Sequence, residues 1–108
     1  MIFFTIGDAV QSKKLPKEIS AKFNSRRWRI RFVNRLAKGT FGDCQDSKKA
    51  SERIIRVKRA QKEEDLLDTI LHEMLHAIFP QLTEDIIYDA ANDLSRTLIK
   101  LGYKLEKE

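Results

Sequence analysis

The chain has 108 residues, 42% of them hydrophobic and 34% charged, which is the balance of a folded domain and excludes an intrinsically disordered one. That length sustains one modest core and not two, so residues 1–108 read as a single domain. There is no run of about 18 apolar residues to form a membrane span, and the lone Cys44 excludes an internal disulfide, while the net charge of +5 raises the question of an anionic partner.

Residues 2–6 are apolar but lack the basic flank and the length of a signal peptide, and they read as a first strand. Together with the single cysteine this points to a cytoplasmic protein. Pro16 suits the first turn of a short helix running to Phe23, with Leu15, Ile19 and Phe23 on one side. Residues 28–33 alternate apolar and basic and predict a strand. Gly39 and Gly42 bracket Thr40 and Phe41, which predicts a turn and a short strand ending near Cys44; residues 46–49 are a polar turn. Residues 54–58 are the next strand. Connections this short favour an antiparallel meander. A helix over residues 63–79 follows, opening on Glu63, Glu64 and Asp65 and ended by Pro80. Thr83 is a natural N-cap for a last helix to Lys100, with Gly102 placed to stop it. The expected fold is therefore α+β: a small antiparallel sheet of three to four strands packed on two antiparallel helices.

The first of those helices carries His72-Glu73-Met74-Leu75-His76, an HExxH that contains both histidines of the chain. At i and i+4 the two imidazoles share one face, one turn apart, and can reach a single zinc ion. Glu73 stands beside them, where a carboxylate can take a proton from an attacking water. The pattern is short and recurs by chance, so its setting matters. Leu66, Leu67, Ile70, Leu71, Met74, Leu75 and Ile78 form an apolar stripe, and Asp65, Asp68, Thr69, His72, Glu73 and His76 form the polar face beside it.

Catalytic zinc commonly takes three protein ligands and keeps one open position. On the last helix the apolar positions Ile87, Ala91, Leu94, Leu98 and Leu101, extended backward, lead to Glu84. A short connection makes the two helices antiparallel neighbours, which brings Glu84 toward the end of the helix that holds His76. The metal ligands expected are His72, His76 and Glu84, with Glu73 as catalytic base. Glu84 is also explained without a metal, as a carboxylate in the first turn of a helix. Asp85, Asp89 and Cys44 rank lower as donors, and Tyr88 and Tyr103 read as packing residues. Asp68, one turn before His72, is placed either to orient an imidazole or to face solvent.

Arginines and lysines cluster in residues 26–31 and 53–62, with Lys13 and Lys14 nearer the start. They suit contact with nucleic acid or another polyanion. Alternation with Trp28, Ile30 and Phe32 equally describes the solvated face of a half-buried strand, and no nucleic-acid motif accompanies the charge.

The run from Asp68 to Ala77, with Pro80, Glu84 and the closing Leu101-Gly102-Tyr103, resembles the small zincin-type metallopeptidase-like proteins of bacteria and their phages. It is similar to minimal gluzincins and, more loosely, to SprT-like domains, over about residues 28–103. The resemblance implies a zincin-like fold and a zinc metallopeptidase acting on a peptide or protein, with His72 and His76 as ligands and Glu73 as base. It also implies a substrate-pairing edge strand just before the active-site helix, at residues 54–58. SprT-like domains use a third histidine and often carry a cysteine-rich zinc ribbon. This chain has neither, so the gluzincin-like set with Glu84 fits better. The rival expectation is a zinc-stabilised, non-catalytic module that binds a protein or nucleic acid through its basic surface.

Overall fold

A computed structural model describes residues 15–103 and 105. The expected strand at residues 2–6 lies outside them. Four strands, β1 (Glu18–Phe23), β2 (Arg26–Val33), β3 (Gly42–Gln45) and β4 (Ile54–Lys58), precede two helices, α1 (Glu63–Ile78) and α2 (Glu84–Lys100). The class is α+β, with α1 packed on one face of the sheet and α2 packed on α1.

Residues 18–23 are a strand, where a helix was expected. The spacing of Leu15, Ile19 and Phe23 is four, and four is a multiple of the strand period as well as close to the helical one, so these residues share a face either way. The hairpin decides it. Asn24 and Ser25 hold φ of 54° and 64°, the left-handed pair of a type I′ turn, and fold β1 back onto β2.

The sheet is mixed, in the order β1-β2-β4-β3, which corrects the antiparallel meander. β1 and β2 pair antiparallel, as do β3 and β4, but β2 and β4 run parallel. No crossover helix is needed. The chain leaves β2, passes the end of the position that β4 will occupy, and forms β3 at the outer edge. It then returns through residues 46–53 to insert β4 between its neighbours. Loop length told how far the chain could reach, not which strand it would join.

β4 is thus interior and paired on both sides, so it is not the edge strand that the resemblance implied; β3 is the edge of the sheet on that side. Its central position follows from its sequence, since Ile54, Ile55 and Val57 are all buried. One face of the sheet, with Phe23, Trp28, Ile30, Phe32, Ile55 and Val57, meets Leu66 and Ala77 of α1 in the core. Ile70, Met74 and Ile78 pack against that cluster.

Candidate metal centre

α1 begins where Gln61, itself buried, closes the end of β4. Its amide Nε2 donates to the Lys58 carbonyl at 2.7 Å, and its Oε1 accepts from the Thr69 hydroxyl at 2.9 Å. Those bonds fix the helix against β3 and β4. The contact is close because position 42 is glycine. A Cβ there would lie 2.7 Å from Thr69 Cγ2 and 3.1 Å from Glu73 Cγ. Only a hydrogen fits, and the middle of α1 lies directly on the start of the edge strand.

Glu73 is pinned in that contact and is 7% exposed. It belongs to the buried side of α1, not to the open polar face where the helical wheel placed it. Burial raises its carboxyl to about 7, opposed by His72 and reinforced by Glu84 and Asp43. Perturbation of that size on a group in a cleft is a mark of functional carboxylates.

His72 and His76 stand one turn apart, ring centroids 4.9 Å from each other and planes at 62°. Across from them, Thr83 caps α2 by accepting from the Ile86 amide at 3.4 Å, and Glu84 is the first residue of the helix. The turn that delivers it is short. The Phe79 amide donates to the Leu75 carbonyl at the end of α1, and the Leu82 amide donates to the Phe79 carbonyl. Glu84 then spans both imidazoles, with Oε1 2.5 Å from His72 Nε2 and Oε2 3.0 Å from His76 Nε2. Donor atoms of these three residues all lie within 4.8 Å of one another, and among the described residues no other group of three could hold a metal.

The reason Glu84 faces α1 differs in part from the expected stripe. Ile87, Ala91 and Ser95 are the buried positions of α2, whereas Leu94 and Leu101 are 45% and 69% exposed. Glu84 precedes Ile87 by three residues, so the observed face still leads to it.

The cluster opens into a cavity of about 670 Å³ between α1, the start of α2 and β3. Phe41, Cys44, Asp46, Asp68 and Tyr88 line it as well. Cys44 stays outside the donor group, and burial, with Glu73 nearby, pushes its thiol up to about 12. Asp68 feels His72 through its charge, burial being the main cause of its raised carboxyl, but no hydrogen bond joins the two. Tyr88 is on the cavity wall, while Tyr103, Asp85 and Asp89 are not part of it. Residue order carries no sign of the Asp43–Arg56 ion pair, whose carboxylate acts on Glu73 through its charge, because the pairing depends on β3 lying beside β4.

Two imidazole nitrogens and a carboxylate are the ligand chemistry of catalytic zinc. At zinc bond lengths, tetrahedral ligands stand about 3.3 Å apart, so the observed 2.5 and 3.0 Å contacts need only a small opening to admit an ion. The donor set fits zinc.

No helix among the described residues is long and apolar enough to cross a membrane. Compared with protein-family models, curated proteins and solved structures, the chain finds no match.

Proposed function

We propose that the protein is a zinc-dependent peptidase of minimal, gluzincin-like type. The observation that carries this reading is the bridging of His72 and His76 by Glu84, from a different helix, with Glu73 buried alongside. The contact brings the three donors of a zinc site together from two helices, with the Glu84 side chain 65% exposed toward the cavity mouth. Bound by these three side chains, zinc would supply a Lewis acid able to acidify water and polarise a peptide carbonyl. Glu73 serves as the base, since a carboxyl titrating near neutrality can accept a proton from water and return it to the leaving amine. The cavity admits the scissile segment from the β3 side. β3 pairs only with β4 among the described strands, so its other edge is open to an extended peptide.

The test is metal content and cleavage of a denatured-protein or peptide library by purified protein. Wild-type protein should bind one zinc ion and cut, and Glu73→Gln should keep zinc and lose turnover by about 10² to 10⁴. Protein that holds no zinc when metal-replete, or Glu73→Gln with undiminished turnover, sinks the proposal. A non-catalytic zinc module would show zinc without cleavage.

A further inference from the structure

The cavity side of the sheet and its opposite face differ sharply in charge. The donor cleft is lined by Asp46, Asp68, Glu73 and Glu84 and by no lysine or arginine. Apart from Arg26, which pairs with Asp46 at 2.7 Å, the strands send their cations the other way. In β2 the core takes Trp28, Ile30 and Phe32, so Arg27, Arg29 and Arg31 face outward. Lys22 sits directly opposite Arg27 on β1 and shares that face.

Part of this charge is neutralised in place. One row across all four strands reads Glu18, Arg31, Arg56, Asp43, with ion pairs at both ends of the row. The excess therefore gathers at the end of the sheet where β2 begins. There the loop of residues 46–53 is tied down to β2. Arg29 donates to the Ser51 carbonyl at 2.7 Å, and buried Arg53 donates to the carbonyls of Arg27, Ser47 and Lys48. That folding sets Lys48 and Lys49 at the same end as Lys22 and Arg27. All four are exposed, and none has a carboxylate partner among the described residues.

We infer that Lys22 and Arg27 of the outer sheet face, with Arg29 beside them and Lys48 and Lys49 of the loop at the same end, bind the phosphate backbone of double-helical nucleic acid. Charge complementarity selects a polyanion. The make-up of the face selects a duplex over a single strand, because no aromatic side chain on the outward positions of the four strands offers a base a stacking platform. Phosphate contacts alone carry no base readout, so the binding is independent of sequence. The duplex lies on the face turned away from the helices and leaves the acidic cleft open. This inference stands apart from the peptidase reading and needs no metal.

The experiment is retention of a labelled 20-bp DNA duplex by the full chain across a salt series. Four neutralised phosphates predict a fall in affinity of roughly 100-fold between 50 and 200 mM salt. Lys22→Glu/Arg27→Glu and Lys48→Glu/Lys49→Glu should each lose at least about tenfold, and a helix-side control, Arg96→Glu/Lys100→Glu, should stay within about twofold. His72→Ala should bind like wild type, which separates this surface from the metal centre. Failure to retain the duplex at 50 mM salt overturns the inference. So does an equal loss in the helix-side control, tighter binding to a thymidine homopolymer strand, or tighter binding to phosphatidylglycerol vesicles.

Discussion

Glu84 Oε1 stands 2.5 Å from His72 Nε2, although one residue opens α2 and the other lies in the third turn of α1. The pairing depends on the tight turn after Pro80 and on the apolar contact of the two helices, and it turns two histidines into a three-donor cluster.

Removal of either partner should therefore break metal binding. Glu84→Ala and His72→Ala are each expected to weaken zinc by at least about 100-fold, beyond what outer partners of a ligand typically contribute. At a zinc concentration 100 times the wild-type Kd, bound metal adds about 2.7 kcal/mol of stability, and a 100-fold weaker variant retains about 0.4 kcal/mol. Thermal unfolding with and without chelator measures both. A Glu84→Ala protein stabilised by zinc as strongly as wild type would remove Glu84 from the ligand set.

Gly42 is the position where α1 and β3 come closest. Gly42→Ala places a methyl carbon 2.7 Å from Thr69 Cγ2, and overpacking of this kind should cost about 1–3 kcal/mol in urea unfolding. Thr69→Ser removes the opposing methyl and keeps the hydroxyl that bonds Gln61. Combined with Gly42→Ala it should recover part of the loss; no recovery would show that the strain lies elsewhere.

The Cys44 thiol is raised from 9.0 to about 12, chiefly by burial. The folded value is above the unfolded one, so the fold favours the neutral thiol. Its contribution to stability is complete below pH 9 and is lost as the pH rises toward 12. At pH 8.5, in chelator, iodoacetamide should alkylate native protein at least about tenfold more slowly than protein unfolded in urea, since only the thiolate reacts. Equal rates would contradict a half-buried thiol held neutral by the fold.

Asn24 joins the β1–β2 turn to the end of α1 through a 2.7 Å bond from its amide to the Ile78 carbonyl, and it holds a φ of 54°. Asn24→Gly tolerates that backbone and loses the bond, at a cost of about 1 kcal/mol. Asn24→Ala adds the left-handed penalty of about 1–2 kcal/mol. Chemical denaturation of both variants should rank alanine below glycine.

Much of this was legible in residue order. The alternation of Trp28, Ile30 and Phe32, the Thr83 cap and the HExxH all signal locally, and each lies where its pattern placed it. The helix expected before Phe23 was not, because a spacing of four satisfies strand and helix alike. The burial of Glu73 escaped the helical wheel, which has no knowledge of a glycine on another strand.

The sequence by itself determined the histidine pair, the helix that carries it and the next helix with Glu84 at its head, because these depend on contacts within a few residues. Only the tertiary structure decided that β4 lies inside a mixed sheet with β3 at its edge, that Gly42 admits α1 close enough to bury Glu73, and that Glu84 bridges both imidazoles. Those outcomes rest on which distant surfaces fit together. Periodicity along one chain segment reports which face is buried, but not the partner that buries it.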